Sequence, residues 1–181
     1  MSEEKRQNRQ IHKVVIDAPI ETVWNILVKT DEVLPFFFGS ICETEKGLTP
    51  GSRIRMISPN KSNVAVVGEV LEFSPPHRYS HTLKFTQYDD PFCVVSYELN
   101  EVDGRVEFSL IQDQIPVGTK TEKSMSEGAE IICGTLKKLA ETGKPGAMAR
   151  MIMLMGPILG LLSPRQTRAE NWPLDGPTRY R

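Results

Sequence analysis

The sequence predicts an α+β domain in which a curved antiparallel sheet of about six or seven strands wraps around one long C-terminal helix. Two observations carry this prediction. Between about Arg53 and Gln112, apolar and polar residues alternate in short runs separated by turn residues. An amphipathic helical pattern follows at Met125–Thr142. Because a curved sheet around one helix tends to leave space between the two, that space is where we look for function.

The first elements are a strand and a short helix. Residues Ile11–Asp17 alternate weakly, which indicates a strand. Pro19 suits the first turn of a helix because its missing N–H would have no partner there. Apolar residues that include Trp24 then recur at helical spacing, so a helix is expected over Pro19–Val28 with Asp17 as its cap.

A second helical turn is expected from Asp31 towards Leu34, which gives two short helices after the first strand. Three adjacent aromatic residues follow, Phe36, Phe37 and Phe38. No single face of a helix or strand can bury all three rings. We therefore expect at least one ring to line a cavity or to be partly exposed; the alternative is a loop whose rings all fold back onto the core.

Five strand patterns occupy the middle of the chain: Gly51–Ile57, Asn63–Phe73, Tyr79–Phe85, Phe92–Leu99 and Arg105–Gln112. The turns between them are short, and Asp103-Gly104 is a hairpin signal. Strands joined by such short turns can only be antiparallel neighbours.

The closing helix carries signals at both ends. Ser124-Met125-Ser126-Glu127 matches the capping-box pattern and indicates the start, and Gly143 indicates the end. The residues expected on its inner face recur at helical spacing. They are Met125, Ala129, Ile132, Leu136 and Leu139.

Composition excludes several classes of function. A net charge of -1 over 181 residues offers no broad positive field, so a nucleic-acid partner is not expected. The three cysteines form no CxxC pair, and no metal site, cofactor or catalytic motif is predicted. Thiols without a pairing pattern, and a polar N-terminus without the apolar core of a signal peptide, favour the cytoplasm.

The chain divides into three predicted parts: a flexible tail (1–10), the domain (11–143) and an apolar, methionine-rich extension with a polar end (144–181). No polar side chain occurs between Met151 and Leu162, and Gly156-Pro157 predicts two short pieces there. The apolar run is shorter than the roughly 17–25 residues of a membrane span. We expect it to dock on its own domain or on a second copy in a homodimer, with peripheral membrane contact as a further alternative.

Four groups of residues resemble, in their order, one branch of a known superfamily. They are Ile16-Asp17-Ala18-Pro19 with Val23-Trp24, Gly51 before Ile54 and Met56, Gly68-Glu69-Val70 running to Pro75-Pro76-His77-Arg78, and Leu136-Lys137-Lys138-Leu139 before Gly143. The set is similar to the START-like (SRPBCC, helix-grip) superfamily, in the branch of activator of heat-shock protein 90 ATPase homologues. The resemblance covers about residues 11–143 and implies a helix-grip fold.

The chain departs from that branch at two places. Phe36-Phe37 stands where the branch often has a tryptophan, and Gly128-Ala129 stands where it often has Gly-Trp. Replacing an inward indole by a methyl group leaves a void, which costs on the order of 24 cal/mol per Å3 unless something fills it. A ligand, a neighbouring aromatic ring or the C-terminal extension could do so.

The expected function is the binding of a hydrophobic or amphipathic small molecule, lipid-like or aromatic, in an internal cavity for sensing, transport or sequestration. A co-chaperone-like regulator of a larger ATPase is the alternative. A cyclase- or hydrolase-type enzyme for polyketide or aromatic substrates, which would use His81 or Tyr97, is a second alternative, and binding without catalysis is preferred. The candidate ligand-binding residues are those expected to face the cavity: Trp24, Phe36, Phe37, Met56, Leu71, Phe73, His81, Leu83, Tyr97, Phe108, Gln112, Ala129, Ile132 and Leu136.

Overall fold

The structure is a computed structural model that describes residues 7–175. Its strands and helices, in chain order, are β1 (Gln7–Ile16), α1 (Ile20–Leu27), β2 (Val33–Leu34), β3 (Ser40–Thr44), β4 (Arg53–Ile57), β5 (Val64–Ser74), β6 (Arg78–Phe85), β7 (Cys93–Val102), β8 (Arg105–Pro116), α2 (Lys120–Thr142) and α3 (Ala147–Leu161). Short 3-10 turns lie at Pro35–Phe37, Arg165–Thr167 and Ala169–Asn171.

The α+β helix-grip prediction is confirmed. All eight strands form one antiparallel sheet in the order β1-β8-β7-β6-β5-β4-β3-β2, and α2 packs across β1 and β8 on its inner face. Among the strands of residues 7–175, only β1 and β8 pair although they are distant in sequence. This pairing brings the start of the chain beside the strand that leads into α2.

The sheet has more strands than the sequence indicates. β2 and β3 form a small antiparallel pair, in which Val33 lies opposite Ile41. The expected helical turn over Asp31–Leu34 is therefore wrong, and the 3-10 turn begins at Pro35 instead. Both strands escape a pattern search because β2 has two residues and β3 buries two adjacent residues rather than alternate ones.

Two helix starts also differ from expectation. Pro19 occupies the cap position of α1 without a side-chain bond, and the Asp17 N–H instead donates to a carboxylate oxygen of Glu141 at 2.9 Å. α2 begins at Lys120, where Thr119 Oγ1 accepts the N–H of Glu122 at 3.2 Å. The first turn of α2 is polar, so its apolar periodicity becomes visible only near Met125.

The C-terminal extension forms one continuous helix, α3, rather than the two expected pieces. A proline removes one backbone donor, but its fixed φ is compatible with a helix, so a helix can continue past it at a cost. Beyond α3, Trp172 packs on the outer face of the sheet against Ile57, Val64 and Val67. Within the described residues, no helix is long and apolar enough to cross a membrane.

Candidate ligand pocket

The centre of the space between sheet and α2 is closed by aromatic rings. Trp24 and Phe73 have ring centroids 5.4 Å apart, and Phe73 meets Tyr79 at 5.9 Å. Tyr79 stacks on Tyr97 at 5.6 Å, and Tyr97 stacks on Phe108 at 6.1 Å. The void beside these rings has a volume of about 10 Å3. A void of that size holds at most one water molecule, so the centre has no room for an organic ligand.

His81 belongs to this closed centre. Its ring is fully buried, and Nδ1 lies 2.7 Å from the carbonyl oxygen of Thr82. Because a carbonyl only accepts, Nδ1 carries the hydrogen and donates it. Nε2 lies 3.4 Å from the hydroxyl of Tyr97. Burial lowers the pKa of His81 to about 4 and raises the pKa of Tyr97, so both groups are neutral near pH 7.

Open space lies at the N-terminal half of α2. A pocket of about 320 Å3 separates this half of the helix from the phenylalanine loop and from the ends of β5 and β6. On the helix side its wall is formed by Met125, Gly128, Ala129 and Ile132, among others. On the opposite side it includes Phe37, Phe38, Val66 and Phe85. The pocket is thus mainly apolar, and it lies beside the small residues Gly128 and Ala129.

Gln112 supplies a polar group in the wall of this pocket. Its Nε2 donates to the backbone carbonyl of Met125 at 3.1 Å, which fixes the orientation of the amide. Its Oε1 is buried and has no hydrogen-bond partner among residues 7–175. A buried acceptor without a partner costs about 1–3 kcal/mol. A donor group of a bound molecule that reached Oε1 would remove that cost.

Phe38 partly fills the space opposite Gly128. Its ring Cζ lies 3.6 Å from the position that a β-carbon on Gly128 would occupy. Phe38 has φ 56°, a left-handed conformation that is uncommon for a large side chain, and it is 37% exposed. It also borders a neighbouring pocket of about 260 Å3 beneath α3. Phe38 therefore lies in the lining of both open spaces, as Phe85 does.

The structure divides the predicted site residues into groups. Phe37, Gln112, Ala129 and Ile132 line the 320 Å3 pocket. Phe36, Met56 and Tyr97 border the 10 Å3 void together with Phe37. The remaining inward residues belong to the packed core and lie outside the lining of the pocket: Trp24, Phe73, His81, Leu83, Phe108 and Leu136.

The expected inward position of Leu71 is wrong, because its side chain is 45% exposed on the outer face of β5. Val70 pairs with His81 whereas Glu72 pairs with Ser80, so the strand carries a bulge at this point. The bulge returns Phe73 to the inside after Leu71 has faced outwards. Strand periodicity alone contains no signal for such a shift.

Several pocket residues were not among the candidates, including Phe38, Phe85 and Gly128. The phenylalanine triplet was a usable signal for Phe38, and the glycine before Ala129 was a usable signal for Gly128. Among the described residues, no three histidine, cysteine or acidic side chains lie close enough to share a metal ion.

Comparison with known proteins places these features in a family. The model of the family "Activator of Hsp90 ATPase homolog 1-like protein" matches residues 17–141. None of the curated proteins matches the chain.

Solved structures share the fold. The Aha1 dimer from Colwellia psychrerythraea is 16% identical, with a TM-score of 0.60 over 76% of this chain and 98% of that one. An HSP90 activator from Plasmodium falciparum is 18% identical, with a TM-score of 0.54 over 67% of this chain and 86% of that one. CalU16 from Micromonospora echinospora is 15% identical, with a TM-score of 0.54 over 87% and 98%. The chain belongs to the family of Activator of Hsp90 ATPase homolog 1-like proteins, with their START-like fold.

Proposed function

We propose that this protein binds a hydrophobic small molecule, aromatic or lipid-like, that carries at least one hydrogen-bond donor. The binding site is the pocket beside Ala129, and the binding serves sensing, transport or sequestration. One observation carries the proposal: a mainly apolar pocket of about 320 Å3 has Gln112 in its wall, and the buried Oε1 of this residue has no partner among the described residues.

The size and lining of the pocket suit a small organic ligand. Small-molecule sites usually have volumes of about 300–1,000 Å3 and apolar walls with few polar groups. Burial against apolar walls such as Ile132 and Phe85 contributes about 25 cal/mol per Å2 of apolar surface removed from water. The Gln112 acceptor adds direction, because it favours molecules that place a donor at its end of the pocket.

Binding without catalysis is the preferred form of this proposal. His81 and Tyr97, the pair that an enzyme of the cyclase or hydrolase type would use, lie outside the pocket lining. His81 is fully buried, so a molecule in the pocket does not reach its ring without rearrangement of the core. A general base must lie within hydrogen-bond reach of the proton that it removes.

The co-chaperone alternative rests on family membership and on the shared fold with an HSP90 activator. We rank it second because no surface in the described part of the chain singles it out. The proposed location is the cytoplasm. Cys42, Cys93 and Cys133 are all buried as free thiols, and burial raises the pKa of Cys42 to about 12, which suits a reducing compartment.

Two glycines of α2 provide a matched test. A side chain at Gly128 would enter the pocket towards Phe38, whereas a side chain at Gly134 would meet nothing within 4 Å. Both lie inside the helix, so Gly128→Leu and Gly134→Leu gain similar helix propensity, about 0.5–1 kcal/mol. The two variants therefore differ mainly in whether the pocket is filled.

The probe is 1-naphthol, an uncharged aromatic molecule with one hydroxyl donor, and its uptake is measured by equilibrium dialysis. We expect Gly128→Leu to weaken uptake about tenfold or more, because a leucine side chain occupies the apolar volume, and Gly134→Leu to bind like the wild type. Equal uptake by the two variants, or no uptake by the wild type, would contradict the proposal.

A further inference from the structure

The outward face of α3 is an apolar surface in contact with water. Five large side chains project from it, and each has another of the five three or four residues away: Met151 (51% exposed), Leu154 (78%), Met155 (47%), Ile158 (63%) and Leu161 (86%). Soluble monomers rarely expose contiguous apolar patches of this kind unless the patch contacts a partner or a membrane.

The opposite face of α3 is already in use. Ala149 is 2% exposed, and Met153 packs on Gly39, where a β-carbon would lie 2.7 Å from the methionine Cγ. Asn63 Nδ2 donates to the carbonyl of Gly160 at 3.1 Å. The helix therefore packs on the domain through one face. Its apolar outer face points away from the domain and does not contact the core.

The extension is also held beyond α3. Trp172 is 8% exposed, its Nε1 donates to the carbonyl of Gln166 at 2.7 Å, and its own carbonyl accepts from Arg55 Nη1 at 2.8 Å. These contacts fix the chain after α3 to the outer face of the sheet. The contacts within the chain thus fix the orientation of the apolar face relative to the domain, without the help of a partner.

The charges around α3 distinguish between partners. Residues 143–169 contain Lys144, Arg150, Arg165 and Arg168 and no acidic residue, whereas the whole chain has a net charge of -1. All four residues are exposed. None of them forms an ion pair with a carboxylate in the described part of the chain. Arg150 lies one turn before Leu154, so its charge borders the apolar face.

We propose that the outer face of α3 docks on an anionic lipid bilayer, with the helix in the plane of the interface. The apolar side chains enter the boundary between headgroups and acyl chains, and the four cations remain at the level of the anionic headgroups. A second copy fits less well. A twofold interface through this face would bring the same four cations of each protomer together, with Glu170 as the one acid beside them along the chain after α3 in residues 143–174.

The test is co-sedimentation of the full chain with vesicles of phosphatidylcholine, alone or with about one-third phosphatidylglycerol. The variant Leu154→Glu/Ile158→Glu changes two exposed residues, so the fold should be retained, which circular dichroism checks. Val102→Glu is the matched control because Val102 is an apolar residue with 51% exposure at the far end of β7. Light scattering of each protein gives its oligomeric state.

We expect the wild type and Val102→Glu to bind the anionic vesicles and to dissociate at high salt. The double variant should bind about 100-fold more weakly, because two large apolar side chains no longer enter the bilayer. Absence of wild-type binding would overturn the proposal, as would equal binding to neutral vesicles. A stable dimer that the double variant dissociates would also overturn it and would assign the face to a second copy.

Discussion

The space between the sheet and α2 is filled differently in two regions: the closed centre around His81, which we call the packed end, and the open end beside Ala129. The rings of Tyr79, His81 and Tyr97 lie 5.2–5.8 Å apart, and the void beside Tyr79 and Tyr97 has a volume of only about 10 Å3. Beside Ala129, the side chains of α2 are small, a hydrogen at Gly128 and a methyl group at Ala129, and a pocket of about 320 Å3 stays open. The sheet and Phe37 border both regions, whereas residues of α2 line only the larger one. In this protein, a few side chains therefore decide how much of the space stays open.

The packed end should respond most strongly to loss of a ring. Phe108 is fully buried and stacks on Tyr97, so Phe108→Ala should lower the free energy of unfolding by about 3–5 kcal/mol. Phe38, which borders the open pocket and is 37% exposed, should lose about 1 kcal/mol or less on the same change. Urea unfolding followed by circular dichroism measures both. Similar losses for the two variants would mean that the two ends are equally packed.

The packed end should also give stability a dependence on pH. Burial holds the pKa of His81 at about 4, below its ordinary value of 6.5. Stability from this group is complete above pH 6.5 and declines towards pH 4, because the unfolded chain takes up a proton that the folded chain does not bind. The decline should approach about 3 kcal/mol.

Urea midpoints between pH 7 and pH 4.5 test this prediction, and His81→Phe is the control because it keeps a ring but cannot titrate. The wild type should lose stability over this range faster than the variant. Parallel curves for the two proteins would show that His81 takes up a proton equally in the folded and unfolded chain.

A third change tests whether Trp172 holds the segment after α3 on the outer face of the sheet. Trp172→Ala should cost about 2 kcal/mol, because it leaves Ile57 and Val67 without their cover on the outer face of the sheet. Hydrogen exchange should become faster in α3 and stay unchanged in β7, which belongs to the packed end. Trp172→Phe should restore most of the protection. Faster exchange in both elements would show that the two ends open together.

The smallest expected effect concerns the buried acceptor. Gln112→Met keeps the side-chain length but removes Oε1, together with the Nε2 donor to Met125, and it should weaken 1-naphthol binding by about 1 kcal/mol, or about fivefold. Binding of 1-methoxynaphthalene, which lacks a donor, should change little. Dialysis with both probes measures the difference. Equal losses for the two probes would mean that Gln112 contributes shape rather than a hydrogen bond.

The sequence allowed prediction of the fold because its signals are local. The alternation of apolar and polar residues located β4 to β8, and the apolar face of α2 indicated the helix that the sheet wraps around. Both signals follow from backbone periodicity. Leu71 was misplaced because a bulge depends on the pairing with β6. The start of α2 was misplaced because Thr119 is followed by a polar turn.

The pocket was only partly predictable. Gly128-Ala129 indicated missing volume, and the pocket does lie beside these residues. Its extent depends on Phe38, which ends the 3-10 turn in a left-handed conformation, and on Gly39, against which Met153 packs. These contacts join residues more than 100 positions apart, so no local pattern contains them.

The most direct test of the central claim is a nuclear magnetic resonance titration with 1-naphthol that follows side-chain methyl groups. If the pocket beside α2 is the binding site, the methyl signals of Ala129 and Ile132 should shift first. Those of Val70 and Val95, which flank His81 in the sheet, should stay in place. Shifts that begin at Val70 and Val95 and leave Ala129 unchanged would contradict the account.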